Sequence, residues 1–305
     1  MSFYLTNKGE RKKKKLFAVM ISAAMIMSLA AGCNKADSTP SSTDSTPAVS
    51  TATASQETAA TADEPTLGKT TFTVGFDAEF PPYGYQDDNG EYVGFDLSLA
   101  DEVCKRNGWE LVKKPIDWDS KDLELESEII DCIWNGFTIN GREDAYTWTT
   151  AYVDNSQVFV VASDSGIKAK SDLAGKTVAV QADSSALSAL TKEEDNDDNL
   201  ALAASFNELV EVPDYNTAFM NLESGAVDAI AMDIGVAKYQ LESRGDSYVI
   251  LDDVLAAEEY GVGFKLGNTE LRDAVQNTLN DMAEDGTFMK IATEWGLEES
   301  VVLGK

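Results

Sequence analysis

Apolar residues follow two different spacings between about residue 70 and residue 303. Short apolar runs with the length of β-strands alternate with segments in which apolar residues recur every three or four positions. The strand candidates are TFTVGF (71–76), DCIWNGF (131–137), QVFVVA (157–162), TVAVQA (177–182), DAIAMD (228–233), YVIL (248–251) and YGVGFK (260–265). The helix candidates are residues 96–106, 184–191, 216–224, 234–243, 270–286 and 288–295. This alternation predicts an α/β fold with a parallel sheet.

The same pattern places polar side chains directly after strands. Asp77 follows the first predicted strand, and Thr138 and Arg142 follow the second. In open α/β sheets, ligands bind beyond the carboxyl ends of the strands. We therefore expect an acid and a base to face one crevice, an arrangement that suits a zwitterion.

The first 32 residues have the pattern of a secretory signal. Six Lys and Arg residues within 1–15 precede LFAVMISAAMIMSLAAG (16–32), which carries no charge. This apolar run is shorter than the roughly 20 residues that a membrane span needs, as is typical of a signal peptide. The sequence Ala30-Ala31-Gly32-Cys33 resembles a bacterial lipobox, in which Cys33 is lipidated and becomes the mature N-terminus. The alternatives are an uncleaved anchor and ordinary cleavage that leaves a free cysteine.

Residues 33–69 are predicted to form a disordered tether. After Cys33, 14 of the 36 residues are Ser or Thr, and Val49 and Leu67 are the only large apolar residues. So little apolar surface does not offset the entropy lost on ordering. A coil of this length spans about 30–35 Å root-mean-square, so it would hold a globular body near a membrane on the extracytoplasmic side.

The charge of the chain excludes one class of partner. The chain has 24 Lys and Arg and 53 Asp and Glu residues, a net charge of −29. Removal of residues 1–32 takes away six basic residues and one acidic residue, which leaves a net charge of −34. Because nucleic acids repel such a chain, we expect no nucleic-acid binding.

The sequence contains no histidine. This removes the commonest general base, the Ser–His and Cys–His nucleophile pairs and the commonest transition-metal ligand. Carboxylates can still do acid–base chemistry. We nevertheless expect a protein that is not an enzyme and that has no cofactor and no metal site.

Two cysteines lie in the predicted globular part, Cys104 on a predicted helix and Cys132 on a predicted strand. A disulfide is compatible with an exported protein. Two buried free thiols are the alternative, and the separation of the Cα atoms would decide between them.

Several short motifs, taken in order, resemble one known family. They are Phe80-Pro81-Pro82-Tyr83, Gly94-Phe95-Asp96-Leu97-Ser98-Leu99-Ala100, Gly136-Phe137-Thr138-Ile139, Ala179-Val180-Gln181, Asp228-Ala229-Ile230-Ala231-Met232-Asp233, Tyr260-Gly261-Val262-Gly263 and Gly267-Asn268-Thr269-Glu270-Leu271-Arg272. Their order and spacing are similar to those of solute-binding proteins for polar amino acids, the receptor subunits of ATP-driven (ABC) importers. Ser98 replaces the acid that the family usually has at that position.

The resemblance implies that the globular part is divided into two lobes. The family has the type II periplasmic-binding-protein-like fold, in which two α/β lobes are joined by two crossing segments and the ligand is held between them. Lobe 1 would comprise residues 70–152 and 261–305, and lobe 2 residues 157–256. The hinges would lie near 152–156 and 257–260.

The resemblance also implies a role for each residue of a ligand site. Arg142 would bind the ligand α-carboxylate, although it lies four residues after Thr138 where the family usually has five. Asp233 would bind the α-ammonium group. The other implied contacts are Gly136, Thr138, Ser184 and Ser185 around the carboxylate, Phe80 and Trp118 as aromatic walls, and Asp77, Asn135 and Gln181 at the side-chain end.

Four of these residues have simpler interpretations when the resemblance is set aside. Asp233 would cap the helix that starts at Ile234, and Arg142 would be a surface residue. Trp118 would belong to a core or its rim, and Asp77 would be a turn residue.

The resemblance implies an extracytoplasmic receptor that binds a polar amino acid and delivers it to the permease of an ABC importer. Because Asp77 is acidic, ligands like arginine, lysine or glutamine are favoured. The protein would be a monomer anchored to the cell membrane through its lipid. Two alternatives remain: an exported dehydratase-like enzyme on the same fold, and an amino-acid sensor module.

Overall fold

The structure, a computed structural model, describes residues 65–192 and 197–304, with the backbone alone at Asp197. The predicted signal peptide, the predicted lipidation site Cys33 and most of the predicted tether lie outside the described residues, as does Lys305. Residues 65–69, which we predicted to belong to the tether, instead contact the folded body. The indole nitrogen of Trp109 donates a hydrogen bond of 2.9 Å to the carbonyl oxygen of Thr66, and Lys69 forms an ion pair of 2.7 Å with Asp131.

The described chain alternates strands with helices. The strands are β1 (Thr71–Phe76), β2 (Glu79–Phe80), β3 (Gly84–Gln86), β4 (Tyr92–Val93), β5 (Glu110–Pro115), β6 (Cys132–Thr138), β7 (Thr147–Trp148), β8 (Val153–Ala162), β9 (Thr177–Gln181), β10 (Glu208–Val212), β11 (Ala229–Asp233), β12 (Tyr248–Ile250) and β13 (Ala256–Phe264). The α-helices are α1 (Phe95–Asn107), α2 (Lys121–Glu126), α3 (Ser185–Thr191), α4 (Asp197–Ser205), α5 (Tyr215–Glu223), α6 (Ile234–Arg244), α7 (Thr269–Glu284) and α8 (Thr287–Glu294).

Ten strands form one continuous sheet. Its order is β10-β9-β11-β8-β13-β6-β1-β5, with β12 beside β8 and β7 beside β13. The pairs are parallel within the first strand group (β1, β5 and β6) and within the second strand group (β9, β10 and β11). The prediction of an α/β fold with parallel strands is therefore confirmed for both groups. β8 and β13 instead run antiparallel to their neighbours.

The two long strands β8 and β13 connect the strand groups. Residues 153–157 of β8 pair with β13, and residues 157–161 pair with β11 of the second group. Residues 256–260 of β13 pair with β8, and residues 260–264 pair with β6 of the first group. Each long strand thus changes partner near its middle, so the chain passes between the groups twice.

In each group, the strand that lies next to β8 or β13 is buried on both faces. All seven residues of β6 and all five residues of β11 are buried. Strands covered by helices on both sides have this continuous apolar character. The core is therefore centred on the strands whose carboxyl ends carry the predicted site residues.

Helix α1 begins at a position that requires glycine. Gly94 has φ +144°, and a Cβ atom there would lie 2.2 Å from the carbonyl oxygen of Tyr83. The helix ends at Gly108, which has the left-handed conformation that is common after helices. Gly94 thus lets the first turn of α1 lie against the backbone of Tyr83, in the segment that carries Phe80. Gly108 marks the end of the helix.

Some elements were absent from the sequence-based prediction. Two of them, β5 and β10, are the edge strands of the sheet, and β5 has no fully buried residue. Edge strands carry polar and charged residues, which weakens the apolar pattern. The small sheet of β2, β3 and β4 was missed because its strands have only two or three residues.

In the described ranges, no helix combines the length and the apolar character that crossing a membrane requires.

Candidate functional site

Four carboxyl ends of strands carry the predicted site residues. Asp77 directly follows β1, whereas Thr138, Gln181 and Asp233 are the last residues of β6, β9 and β11. All four side chains are buried. Since the first two strands belong to the first group and the last two to the second, the site is built from both groups.

Asp77 is held by contacts from both strand groups. Its N–H donates a hydrogen bond of 2.9 Å to Oδ1 of Asn135, and its Oδ1 accepts one of 2.8 Å from the N–H of Glu79. Its Oδ2 accepts one of 2.7 Å from Nε2 of Gln181. Burial raises the pKa of Asp77 to about 6, although the hydrogen bonds from Glu79 and Gln181 lower it in part. The interpretation of Asp77 as a simple turn residue is therefore incomplete.

Asp77 opens into a cleft of about 570 Å³, the acidic cleft. Its lining includes Trp118 and six acidic residues but none of the described basic residues; the acids are Asp77, Glu79, Asp117, Asp119, Glu124 and Asp214. A cleft with this lining favours a positively charged or hydrogen-bond-donating group.

The side-chain amide of Asn135 lies beside Asp77. Its side chain is 1% exposed, and its Oδ1 is bonded to the N–H of Asp77. Its Nδ2 is buried and has no hydrogen-bond partner among the described residues. Asn135 therefore positions Asp77 and keeps one side-chain donor without a partner among the described residues.

Arg142 lines a second cleft of about 210 Å³, the arginine cleft, together with Thr138, Ser185 and Glu258. Its guanidinium donates a hydrogen bond of 3.3 Å to the carbonyl oxygen of Thr138 and one of 3.2 Å to that of Asp183. These contacts hold it in the cleft, so Arg142 is not a free surface residue.

Asp77 and Arg142 do not face one crevice, which corrects our expectation. Asp77 lines the acidic cleft and Arg142 the arginine cleft. Lys121 stacks its Nζ 5.0 Å over the ring of Trp118 and forms an ion pair with Asp183. Because Asp183 also contacts Arg142, this ion pair links the two clefts.

Ser184 and Ser185 lie at the start of α3. The Oγ of Ser184 accepts a hydrogen bond of 3.1 Å from the N–H of Leu187, so this residue caps the helix. The Oγ of Ser185 accepts one of 3.3 Å from Thr138 and one of 2.8 Å from Nε2 of Gln157. Ser185 therefore joins the end of β6 to β8 and to the start of α3, the helix that follows β9.

Asp233 occupies the N-cap position of helix α6, but its side chain makes no capping hydrogen bond. Its Oδ1 instead accepts hydrogen bonds from Asn155 at 2.9 Å, Gln157 at 2.6 Å and Tyr260 at 2.5 Å. Its Oδ2 accepts one of 2.8 Å from Tyr215. The cap interpretation is thus wrong, and the carboxylate is the centre of a buried polar network.

A second carboxyl group belongs to this network. Glu258 is 6% exposed, and its Oε1 accepts hydrogen bonds from Asn155 at 2.6 Å and Gln157 at 2.8 Å. Burial, and next the charge of Asp233, raise the pKa of Glu258 well above its usual range. Glu258 was not among the predicted site residues, since the family motif in this part of the sequence begins two residues later, at Tyr260.

The two predicted aromatic walls have different environments. Trp118 lines the acidic cleft and meets the ring of Phe137 at a right angle, with 5.5 Å between the ring centroids. Phe80 is 6% exposed and packs against Tyr83 and Tyr215, at centroid distances of 5.8 and 5.9 Å. Trp118 is therefore directly accessible from the cleft, whereas Phe80 is enclosed by other rings.

Gly136 is held by a residue of helix α1. Its N–H donates a hydrogen bond of 2.6 Å to Oδ2 of Asp96. Its φ is +57°, and a Cβ atom would lie 2.9 Å from Cε1 of Phe80 and 3.0 Å from Cε2 of Tyr260. Glycine is therefore required here. The N–H of Gly136 is already bonded to Asp96. The backbone contact that we predicted between Gly136 and the ligand would therefore have to use another backbone atom.

Neither cysteine chemistry nor a metal site is evident in the described residues. Cys104 and Cys132 are buried free thiols, so the structure has no disulfide between them. No group of three or more His, Cys, Asp and Glu side chains within the described ranges is arranged to hold a metal ion.

Comparison with known proteins assigns a family to this architecture. Residues 72–298 match the family described as bacterial extracellular solute-binding proteins, family 3. The L-cystine-binding protein TcyJ of Escherichia coli (strain K12) is 29% identical over 251 residues, which cover 77% of this chain and 87% of TcyJ.

Solved structures give the same result. A substrate-binding protein of an ABC uptake transporter from Streptococcus pneumoniae, with bound histidine, has a TM-score of 0.69 and 30% identity and covers 76% of this chain and 94% of its own. An ancestral arginine-binding protein bound to arginine has a TM-score of 0.67 and 34% identity, with coverages of 74% and 97%. The expected two-lobe type II fold is therefore confirmed.

Proposed function

The chain belongs to the bacterial extracellular solute-binding proteins of family 3, and we propose that it is the receptor that binds a polar amino acid and delivers it to an ABC importer. One observation supports this proposal most strongly: the guanidinium of Arg142 and the carboxyl of Glu258 both line the arginine cleft. The amide groups of Asn155 and Gln157 connect this carboxyl to that of Asp233. A buried zwitterion needs a partner for each of its charges. This cleft offers both.

The lobe boundaries would follow the two long strands. Lobe 1 would comprise residues 70–152 and 261–305, and lobe 2 residues 157–256. The change of pairing partners in the middle of β8 and β13 supports this division. The predicted hinges, near 152–156 and 257–260, fall where these strands pair with each other.

The zwitterionic end of the ligand would lie in the arginine cleft. Arg142 would bind the α-carboxylate, because the planar guanidinium suits a two-pronged contact. The hydroxyl groups of Thr138 and Ser185 and the first turn of α3 after Ser184 would add hydrogen bonds, and Asp233 would bind the α-ammonium group. Gly136 would contribute a backbone contact other than its N–H.

The side chain of the ligand would extend toward the acidic cleft. Trp118 would form one wall, with Phe80 as the opposite, more enclosed wall. Asp77, Asn135 and Gln181 would contact the tip; the unpaired Nδ2 of Asn135 supports this role. A ligand that spans both clefts would displace the ion pair between Lys121 and Asp183.

The charge of the acidic cleft favours a cationic or amide tip, as in arginine, lysine or glutamine. An acidic tip would be repelled by Asp77, and a small apolar ligand would leave Asp77 and Asn135 unpaired. The binding of arginine by the ancestral protein and of cystine by TcyJ is compatible with a polar side chain.

Ligand binding would favour the closed arrangement of the lobes. Direct contacts already join them, between Asp77 and Gln181 at 2.7 Å and between Thr138 and Ser185 at 3.3 Å. A ligand that touches both lobes has more contacts in the closed form and therefore shifts the population toward it. The permease would recognise that form.

The remaining features complete the proposal. Lipidation of Cys33 would anchor a monomer on the extracytoplasmic face of the cell membrane, with residues 34–64 as the tether. The protein would not be an enzyme. Turnover of a cyclic acid would favour the dehydratase-like alternative, and binding of a membrane kinase would favour the sensor alternative.

The experiment that tests this function compares wild type with Asp233→Asn by isothermal titration calorimetry with L-arginine, L-lysine and L-glutamine. The variant should bind at least about tenfold more weakly, because a charge-assisted hydrogen bond contributes about 1.5–3 kcal/mol. Asp246→Asn removes the same charge at an exposed position of the proposed lobe 2 and should behave like wild type. Equal affinities of Asp233→Asn and wild type would contradict the assignment.

A further inference from the structure

Two carboxyl groups, those of Asp233 and Glu258, are held side by side, and Glu258 also lines the arginine cleft. Their side chains are 3% and 6% exposed. Nδ2 of Asn155 donates to Oδ1 of Asp233 at 2.9 Å and to Oε1 of Glu258 at 2.6 Å. Nε2 of Gln157 contacts the same two oxygens at 2.6 and 2.8 Å. Because both oxygens share both amide groups, the carboxyl groups are neighbours.

The groups around this pair do not neutralise two negative charges. The hydroxyl groups of Tyr215 and Tyr260 donate hydrogen bonds to Asp233. The buried hydroxyl of Tyr83 interacts electrostatically with both acids. These phenols remain neutral, since burial raises their pKa values well above 10. The cations nearest along the cleft lining are Arg142 and Lys192. Among the described residues, however, no Lys or Arg forms an ion pair with either carboxyl.

Two adjacent buried carboxyl groups do not both ionise, because each negative charge opposes the other. One proton therefore stays on the pair, whose oxygens Oδ1 and Oε1 share the amide donors of Asn155 and Gln157. The pair then carries a single net negative charge.

We propose that Glu258 is a second ammonium-binding residue, which shares a proton with Asp233 until the ligand displaces that proton. This inference rests on the proposed function. The ammonium group of the ligand enters with one positive charge, and the shared proton leaves to solvent. The net charge of the buried site is the same before and after, so neither state contains two unpaired carboxylates.

The position of Glu258 makes this exchange possible. It lines the arginine cleft with Thr138, Arg142 and Ser185, so an ammonium group bound there reaches Glu258 as well as the network around Asp233. Ligand binding should therefore release a proton, and affinity should increase with pH until the pair loses its proton without ligand.

The test is isothermal titration calorimetry at pH 7.5 in phosphate and in Tris, two buffers with different ionisation enthalpies. L-Arginine is the first probe, and L-glutamine and L-cystine are the second and third. The difference between the buffers should show release of up to one proton per bound ligand in wild type. At this pH Asp77, with its pKa of about 6, is already ionised and contributes little.

Two variants assign the proton to its residue. Glu258→Gln cannot share a proton and should release none, with an affinity that no longer depends on pH. Glu259→Gln changes the same charge at the next residue of β13, where the side chain is exposed, and should release as much as wild type. Equal release from Glu258→Gln and wild type would overturn the inference.

A measurement on wild type alone covers the case in which Glu258→Gln does not fold. The association constant should rise by up to tenfold per pH unit between about pH 6.5 and 7.5. Binding without a pH slope and without proton release would overturn this inference and leave the proposed function standing. No binding of any of the three probes would count against both.

Discussion

Nε2 of Gln181 donates a hydrogen bond of 2.7 Å to Oδ2 of Asp77, and the two residues come from opposite strand groups. The same carboxylate lies at the wall of the acidic cleft. A single buried acid thus contacts the second strand group and faces the space that we assign to the ligand side chain. This arrangement makes Asp77 the residue that should most affect the choice of ligand.

Asp77→Asn should change the ranking of ligands. Arginine should lose at least about tenfold in affinity relative to glutamine, because hydrogen bonds to a charged group contribute about 1.5–3 kcal/mol and neutral ones about 0.5–1.5 kcal/mol. Calorimetric titration with both amino acids measures the change. Asp246→Asn, which removes the same charge at an exposed position outside both clefts, should leave the ranking unaltered. If Asp77→Asn also leaves it unaltered, the role of Asp77 is refuted.

Arg142→Lys should weaken the binding of every α-amino acid, whatever its side chain. Lysine keeps the charge but lacks the planar fork that contacts both carboxylate oxygens. We expect a loss of about tenfold or more in affinity. Arg106→Lys makes the same change on α1, at a residue that pairs with Glu102 and Asp285, and serves as the control. A loss limited to some side chains would place Arg142 elsewhere in the site.

Asp96→Asn should change how stability depends on pH. Burial raises the pKa of Asp96 to about 7, although its hydrogen bond from Gly136 lowers it in part. The folded state therefore binds a proton more tightly than the unfolded state does. The stabilisation of wild type relative to Asp96→Asn is fully present below about pH 4 and is lost, at about 1.4 kcal/mol per pH unit, as pH rises to about 7.

Urea unfolding of both proteins at pH 4.5, 6 and 7.5 measures this difference. Asp101→Asn, an exposed position on the same helix, should show a constant difference from wild type. A constant difference for Asp96→Asn as well would mean that Asp96 does not keep its proton in the folded protein.

Buried strands were easier to predict from the sequence than exposed ones. β1 was predicted with its observed bounds, and β6 and β11 within one residue, because apolar residues dominate strands covered on both faces. The edge strands β5 and β10 were missed, since their exposed sides carry charged residues that interrupt the pattern.

The site was less predictable than the fold, and Glu258 shows the reason. Glu258 and Glu259 are adjacent in the sequence, and only the alternation along β13 decides which of them is buried. That strand has a register shift between Gly261 and Gly263, which the sequence does not reveal. The cap interpretation of Asp233 failed for a related reason, because its donors lie 18 to 78 residues away in the chain.

A thermal-shift screen of the purified protein against the twenty amino acids, ornithine and cystine tests directly whether it is an amino-acid receptor. A ligand at 100 times its dissociation constant should stabilise the folded state by about 2.7 kcal/mol, which corresponds to several degrees for a body of this size. We expect such a shift for one or a few polar amino acids, with arginine, lysine or glutamine among them. The absence of a shift with every one of these compounds would contradict this expectation.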